Sequence, residues 1–226
     1  MITLDEVSKD YPIGKGNTVN AVRAVNLEIN QGEFVIIFGR SGSGKTTLLN
    51  LSAGLTRPTS GNVSLDGVNL WNLSDNQQSM LRSQKIGFIF QFPSLLPALT
   101  VYENVILPSI FRSNHKLVQN EDQAQQLLQK VGLDDKLVAY PRQLSAGQQQ
   151  RVVIARALMN QPEVLLADEP TSNLDEKTEL EIMELFRELH SNLNITVVMV
   201  THTRQLVSYG TRAVEMAEGR IVNGKH

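Results

Sequence analysis

The sequence predicts an α/β fold built around a parallel β-sheet. The first observation is an apolar run, Phe34 to Phe38, that leads directly into a glycine-rich loop at residues 39–46. The second is the alternation of short apolar strands with helical patterns in the second half of the chain, which is typical of a parallel sheet covered on both faces. A chain of 226 residues suits one domain, 1–226, that can bury a sizeable core.

The first 70 residues are expected to add an antiparallel β-subdomain. Residues 2–11 and 19–29 are rich in alternating apolar and β-branched positions, with the polar loop Gly14 to Asn20 between them. Residues 61–70 resemble a further short strand pair. The turn at residues 30–32 then leads into the buried strand Phe34 to Phe38.

After the strand Ile86 to Phe90, the pattern becomes helical, and residues 92–160 are expected to form a helical subdomain inserted in the core. Gly132 is placed to end one of its helices, whose apolar residues recur at helical spacing: Ala124, Leu127, Leu128 and Val131. Strands at residues 164–167 and 195–200 then flank a further helix. A hairpin turning at Glu218-Gly219 closes the chain.

Composition excludes several classes of function. Lysine and arginine number 21 against 23 acidic residues, and no stretch concentrates basic residues, so nucleic acid is not the expected partner. The chain has no cysteine, which excludes disulfides, thiolate metal sites and a cysteine nucleophile. No apolar run approaches the roughly 20 residues that a membrane-spanning helix needs, and no secretory signal is visible at the N-terminus.

The loop at residues 39–46 reads Gly-Arg-Ser-Gly-Ser-Gly-Lys-Thr, a complete G-x-x-x-x-G-K-[ST] phosphate loop. Between a strand and a helix, it aims backbone N–H groups at a phosphate, and Lys45 can reach the β- and γ-phosphates. The Thr46 hydroxyl can bind Mg²⁺. A merely flexible glycine loop is the disfavoured alternative. The sequence predicts a nucleoside triphosphate site whose remaining contacts are Gly39, Ser41, Gly42, Ser43, Gly44 and Thr47.

Asp168 and Glu169 follow the apolar strand at residues 164–167. A parallel strand delivers the residues at its carboxyl end to the ligand crevice. We therefore expect Asp168 to hold the Mg²⁺ shell and Glu169 to polarise the water that attacks the γ-phosphate. Acidic residues also follow buried strands simply because the chain reaches the surface there. The functional interpretation of the pair therefore depends on the phosphate loop in the same sequence.

Residues 144–148 read Leu-Ser-Ala-Gly-Gln. Ser145 and Gln148 fit a capping box for the helix that follows. A serine-capped helix N-terminus is also an anion site, so the two interpretations are compatible. With a phosphate loop before it and Asp168-Glu169 after it, the segment predicts a second contact with the γ-phosphate.

With these motifs in this order, the sequence resembles the ATP-binding cassette (ABC) ATPases over almost its whole length. The resemblance implies a P-loop NTPase core and a head-to-tail dimer. In that dimer Ser145, Gly147 and Gln148 of one subunit contact the ATP held by the phosphate loop of the other. It also implies a peripheral position on the cytoplasmic face of the inner membrane.

The resemblance assigns four further roles. Tyr11 would stack on adenine, and Gln91 would contact Mg²⁺ and signal to a membrane partner. Ser172 to Asp175 would touch the second subunit, and His202 would sense the γ-phosphate beside the catalytic Glu169 and Lys45. Each has an alternative: a strand aromatic, a polar strand end, an N-cap at Asp175 and a buried histidine. The other histidines match no motif and are expected to be solvated: His115, His190 and His226.

One position departs from the family pattern. Ala146 stands where the signature usually has glycine. If the backbone there needs a positive φ, alanine would be strained by roughly 1 kcal/mol, whereas a negative φ would cost little. Hydrolysis is expected to survive, because Ser145 and Gly147 are present.

The segment Phe92 to Leu99 is apolar and interrupted by prolines, and it follows Gln91 directly. Together with Tyr102 to Val105 it is similar to the ABC subgroup that powers lipoprotein release, macrolide or haem efflux, and cell-division complexes. The resemblance implies that a membrane subunit docks near Gln91–Leu99. A loop tucked into the core is the alternative.

The predicted function is that of an ATP-hydrolysing subunit of an ABC transporter, which couples closure of a dimer, a homodimer by expectation, to a separate membrane subunit. Two alternatives remain open at this point. One is a soluble ABC ATPase that acts on nucleic acid or the ribosome. The other is a nucleotide-dependent regulator that does not hydrolyse ATP.

Overall fold

The computed structural model describes residues 1–14, 16–110 and 117–225. The strands in these ranges are β1 (Ile2–Ile13), β2 (Asn17–Ile29), β3 (Phe34–Phe38), β4 (Ser60–Leu65), β5 (Val68–Asn69), β6 (Ile86–Ile89), β7 (Val164–Asp168), β8 (Thr196–Thr201), β9 (Arg212–Ala217) and β10 (Arg220–Lys225). The α-helices are α1 (Lys45–Ser52), α2 (Asp75–Lys85), α3 (Val101–Ile110), α4 (Leu117–Lys130), α5 (Ala146–Leu158) and α6 (Glu176–Leu193).

The larger sheet has six strands in the order β10-β9-β3-β8-β7-β6. All neighbours from β9 to β6 pair in parallel, and β10 joins β9 as an antiparallel edge strand. The predicted parallel sheet and the closing hairpin are therefore confirmed. Because parallel strands share one direction, the chain leaves β3, β7 and β8 at the same edge of the sheet, where the site lies.

The smaller sheet is antiparallel, as predicted, with the order β2-β1-β4-β5. Both long strands extend further toward their connection than expected. The predicted loop of residues 14–20 is correspondingly shorter, and Lys15 within it lies outside the described residues. Glu6 and Ala24 have φ of 48° and 45° beside register shifts in the β1–β2 pair, so bulges interrupt the pairing.

The segment after β6 is largely helical. Helix α4 ends at Lys130, and Gly132, with φ 72°, terminates it as predicted. Helix α2 was not predicted. It begins with a capping box between Ser74 and Gln77, a local signal that the sequence does contain. Residues 111–116 of the expected helical subdomain, including His115, lie outside the described residues.

The core lies on both faces of the six-stranded sheet. Alternation along β3 directs Phe34 and Ile36 toward the layer of α3 to α6, and Val35 and Ile37 toward α1 and the antiparallel sheet. All four are fully buried. Burying such a side chain stabilises the fold by about 1.5–3 kcal/mol. The sheet is thus a rigid base for the loops at its edge.

Candidate nucleotide-binding and hydrolysis site

A groove of about 490 Å³ lies where the phosphate loop meets β2, the β9–β10 turn and the ends of β6 and β7. Six of the predicted nucleotide-contacting residues of the phosphate loop line it together with Glu169 and Gln91. Its lining residues are Val19, Asn20, Ala21, Arg23, Ser41, Gly42, Gly44, Lys45, Thr46, Thr47, Gln91, Glu169, Glu218 and Gly219.

The phosphate loop follows β3 and is packed against neighbouring backbone. A Cβ atom on Gly39 would lie 2.2 Å from the carbonyl oxygen of Met216, and one on Gly44 would lie 2.2 Å from that of Ala21. Neither contact is sterically possible, so glycine is required at both positions. Strand β9 and strand β2 therefore hold the loop from two sides.

Lys45 is 4% exposed at the start of α1. Its Nζ donates to the carbonyl oxygens of Gly39 and Arg40 at 3.0 Å each, and Glu169 Oε1 lies 3.9 Å away. Burial lowers the pKa of the Lys45 ammonium, an effect that Glu169 and Asp168 oppose. This ammonium lacks a carboxylate at hydrogen-bonding distance among the described residues, which suits a site for phosphate oxygens.

Thr46, which lines the groove, is hydrogen-bonded to Asp168: Thr46 Oγ1 donates to Asp168 Oδ1 at 2.9 Å. Burial raises the pKa of the Asp168 carboxyl; the Thr46 hydrogen bond and Lys45 oppose the rise, while Glu169 adds to it. These hard oxygen atoms fit Mg²⁺. No cluster of three or more His, Cys, Asp or Glu occurs among the residues that the structure describes, so a cation here needs oxygen ligands from elsewhere.

Glu169 is held in an uncommon conformation beside the groove. Its φ is 43°, in the left-handed region, and its backbone N–H donates to Val200 O at 3.0 Å. Its Oε2 lies 3.0 Å from His202 Nδ1. Non-glycine residues in this region cost about 1–3 kcal/mol and cluster at functional sites. His202 is half-exposed, so the alternative of a buried histidine is wrong.

Ser43 is 4% exposed, and its Oγ lacks a hydrogen-bond partner within the described part of the chain. Gly39, Ser43, Asp168 and His202 are not among the residues that line the groove. A buried hydroxyl without a partner is costly. Because Ser43 does not line the groove, its contact with the nucleotide stays a prediction.

Gln91 follows β6 and lies on the groove wall. Its carbonyl oxygen accepts a 3.4 Å hydrogen bond from Asn173 Nδ2, which connects it to the Ser172–Asp175 loop. Asp175 accepts from the backbone N–H of Thr178 at 3.1 Å, so its role as the N-cap of α6 is confirmed. Hydrogen bonds from Thr178 lower the pKa of the Asp175 carboxyl.

No residue of the signature segment, residues 144–148, is among those that line the groove of its own chain. Ser145 caps α5, and the capping box with Gln148 is confirmed: Ser145 Oγ accepts from Gln148 N at 3.2 Å. Ala146 begins the helix and does not have a positive φ, so the alanine at this position causes little backbone strain, which is the second of the two possibilities considered from the sequence. A Cβ on Gly147 would lie 2.4 Å from Thr178 Cγ2, so packing against α6 also demands glycine here.

Tyr11 is 39% exposed and pairs with Val19, which lines the groove. Lys9 Nζ lies 5.1 Å from the centre of the Tyr11 ring. The tyrosine ring therefore stands at the end of the groove where β1 and β2 meet. This place is compatible with the predicted adenine contact.

The prediction did not place β2 or the Glu218-Gly219 turn in the groove, although it did predict the turn itself. The β2 wall includes the adjacent residues Val19, Asn20 and Ala21, and the β1–β2 pairing is irregular at Ala21, so simple strand alternation was not a signal for it. The solvated state expected for His190 is wrong: it is partly buried, and its Nε2 lies 2.9 Å from Gly32 O. His226 lies outside the described residues.

Comparison with known proteins agrees with this geometry. A family model described as "ABC transporter" matches residues 22–172, which include the phosphate loop, the signature segment and Asp168-Glu169. The chain belongs to the ABC transporter family. The resemblance and the fold predicted from the sequence are thereby confirmed.

Relatives match nearly the whole chain. An uncharacterized ABC transporter ATP-binding protein of Thermotoga maritima is 48% identical over 98% of this chain and 93% of its own. The lipoprotein-releasing system ATP-binding protein LolD 1 of Chlorobium chlorochromatii is 41% identical, covering 98% and 90%. The macrolide export ATP-binding/permease protein MacB of Rhodopirellula baltica is 45% identical over 98% of this chain but only 32% of its own length.

Among solved structures, the ATP-binding cassette MJ0796, a dimer in a post-hydrolysis state bound to ADP and Pi, has a TM-score of 0.90 and 41% identity. The similarity covers 100% of this chain and 98% of that one. This chain is accordingly an ATP-binding and ATP-hydrolysing subunit of an ABC transporter, a class that dimerises and works with a membrane partner. Among its described residues, no helix is both long and apolar enough to cross a bilayer.

Proposed function

We propose that this chain hydrolyses Mg-ATP between two copies of itself at the groove described above. The observation that carries the proposal is the convergence of Lys45, Thr46, Asp168 and Glu169 at the carboxyl edge of the parallel sheet, with Thr46 Oγ1 and Asp168 Oδ1 joined at 2.9 Å. Gly42, Gly44 and the N-terminus of α1 provide further backbone donors for the phosphates. Tyr11 stacks on the adenine.

Hydrolysis begins when the oxygen of a water molecule attacks the γ-phosphorus in line with the bond to ADP. Glu169 lines the groove and accepts the proton of that water, so inorganic phosphate and ADP are the products. His202 orients the Glu169 carboxylate through the 3.0 Å contact. Lys45 neutralises the charge that develops on the phosphate oxygens.

Thr46, Asp168 and Gln91 are the proposed protein contacts of Mg²⁺. When bound, the ion neutralises charge on the β- and γ-phosphate oxygens. Thr46 and Asp168 already share a hydrogen bond, so little reorganisation is needed to present both oxygens to one ligand. Gln91 extends from the end of β6 and connects this set to the segment that follows it.

A second subunit completes the site with its signature segment. Ser145 is exposed and does not line the groove of its own chain. Its hydroxyl and the partial positive charge of the α5 N-terminus suit a phosphate held by the other copy. Gly147 keeps α5 against Thr178 of α6. The helical subdomain proposed for residues 92–160 carries this segment together with the segment that docks the membrane subunit.

The proposed docking surface is the segment from Gln91 to Leu99. Phe92 is 65% exposed, which supports docking at this end of the segment. Leu95 packs against the core, so the alternative of a loop tucked into the core describes that residue. Asn104 is fully buried and anchors the segment: its Oδ1 accepts from Leu96 N at 2.8 Å, and its Nδ2 donates to Leu99 O at 3.1 Å.

Arg156 connects this segment to the signature helix. Its Nη1 donates to Ser94 O at 2.7 Å. A push on residues 92–99 from a membrane subunit is thus transmitted to α5. With LolD and MacB among the relatives, we propose a role in lipoprotein release, export or mechanical transmission at the cytoplasmic face of the inner membrane.

Lys45→Ala tests the nucleotide site. We expect the affinity for ATP to fall by at least about tenfold, because a buried charge-assisted contact is lost. Equilibrium titration of the purified chain with a fluorescent ATP analogue measures it. An unchanged dissociation constant would contradict the proposed site.

Phe92→Ser tests the docking surface, with Val138→Ser as the matched control, since Val138 is an exposed apolar residue outside the segment at 82% exposure. Both variants are expected to keep the basal ATPase rate. Only Phe92→Ser should lose co-purification with the membrane subunit from detergent-solubilised membranes. Equal recovery with both variants would place the docking surface elsewhere.

A further inference from the structure

The β2 wall of the groove carries a basic residue that the motifs leave without a role. Val19, Ala21 and Arg23 follow one another at intervals of two, and all three line the groove. Asn20 lines the groove as well, because the pairing of β1 and β2 is irregular at Ala21. Arg23 therefore belongs to the same groove wall as Ala21, whose carbonyl oxygen packs against Gly44 of the phosphate loop.

The backbone of Arg23 is fixed relative to the phosphate loop. Its N–H donates to Gly219 O at 2.8 Å, and Gly219 N donates to Ser43 O at 3.0 Å. A Cβ on Gly219 would lie 3.0 Å from Ala21 O, so the turn approaches β2 closely. The β9–β10 turn thus connects β2 to the loop through two hydrogen bonds, and Arg23 stands at a set place beside the loop.

The guanidinium of Arg23 retains free donors. Its one side-chain hydrogen bond in the described part of the chain runs from Nε to Asn20 O at 3.4 Å, which is long. No carboxylate of the described residues pairs with it within 4.0 Å. By contrast, Arg212 pairs with Glu33 and Arg187 with Glu184. An exposed guanidinium on the wall of an anion groove is suited to bidentate contact with phosphate.

We propose that Arg23 binds the phosphate chain of the nucleotide, as a second cation of the groove in addition to Lys45. This inference rests on the proposed nucleotide site and adds a contact that the family motifs do not contain. Arg23 raises the affinity for nucleotides that carry a polyphosphate, and its contribution declines with salt because the residue is exposed. Adenosine, which has no phosphate, gains nothing from it.

The test is calorimetric titration of the purified chain with ATP, ADP and adenosine in the presence of EDTA, at low and high salt. Arg23→Gln should lower the affinity for ATP and for ADP by about tenfold at low salt. Arg23→Lys should lower these affinities by less, because a lysine keeps the charge and loses only the bidentate geometry. Adenosine binding should not change. Arg187→Gln, at an exposed arginine outside the groove, is the control and should bind all three normally.

Two results would overturn the inference: unchanged ATP affinity in Arg23→Gln, or an equal loss for adenosine, which would indicate a contact with the nucleoside. Lys45→Ala in the same titrations separates this failure from that of the site. If Lys45→Ala lowers the affinity for ATP and Arg23→Gln does not, only the proposed role of Arg23 is wrong. If neither variant lowers the affinity for ATP, the proposed nucleotide site is wrong as well.

Discussion

His202 Nδ1 lies 3.0 Å from Glu169 Oε2, although the two residues come from the ends of different strands, β8 and β7. The contact joins a half-exposed imidazole to a carboxylate held at φ 43°. Because the strained backbone and the histidine orient the same carboxylate, Glu169 can present its other oxygen to the groove. The pair is therefore the proposed catalytic unit of this subunit.

We expect Glu169→Gln to separate binding from hydrolysis. Glutamine keeps the size of the side chain but cannot accept the proton of water, so the ATPase rate should fall by about 10²–10⁴-fold. ATP binding should persist, and the dimer should accumulate with ATP. Phosphate release and size-exclusion chromatography measure both effects. Steady-state hydrolysis near the normal rate would remove Glu169 from the proposed role.

Asp168→Asn is expected to stabilise the protein at neutral pH without ligand. Burial raises the pKa of Asp168 above its unfolded value of 3.8, so the native state favours the protonated carboxyl. The stability that this group contributes is complete below pH 3.8 and is lost as the pH rises through the raised pKa. A neutral amide avoids that loss and can still accept from Thr46.

Urea unfolding of Asp168→Asn at pH 7 and at pH 3 measures this effect. The variant should exceed the natural protein in the free energy of unfolding at pH 7, and the difference should shrink at pH 3. The same variant should lose Mg-ATP affinity. A variant that is less stable at pH 7 would show that the charged carboxylate is compensated in the native state.

Gly147→Ala should destabilise the protein by about 1–3 kcal/mol, because its Cβ would lie 2.4 Å from Thr178 Cγ2. Thr178→Ser removes that methyl group and keeps the hydroxyl that donates to Asp175 Oδ2 at 2.7 Å. The double variant should therefore recover much of the loss. Thermal unfolding of both single variants and the double variant gives the interaction energy; additive effects would argue against the proposed steric origin.

Ala146→Gly should leave hydrolysis within about twofold of normal and lower the stability by about 0.5 kcal/mol, since glycine has more freedom to lose in a helix. Ala146 begins α5 without a positive φ, so nothing in the backbone demands glycine there. Chemical denaturation and a steady-state ATPase assay measure the two effects. A large gain in activity would show that the alanine methyl group obstructs the signature segment.

The sequence by itself determined the fold class and most of the motif residues. The phosphate loop, the capping box at Ser145 and the apolar strand before Asp168 are local patterns. Each depends on the types and spacing of residues that are close together in the chain, so it can be recognised from the sequence. Helix α2 had such a pattern too, in Ser74 and Gln77, and its capping box predicts it once the segment is considered.

Tertiary structure decided what depends on contacts between distant segments. The sequence left the φ of Ala146 open, and the helix start of α5 settled it. It did not contain the meeting of Gly219 with Arg23 and Ser43, the contact of Gly147 with Thr178, or the pairing of Glu169 with His202. The physical reason is that these contacts join residues far apart in the chain, and only the packing of sheet, turn and helix sets their distances.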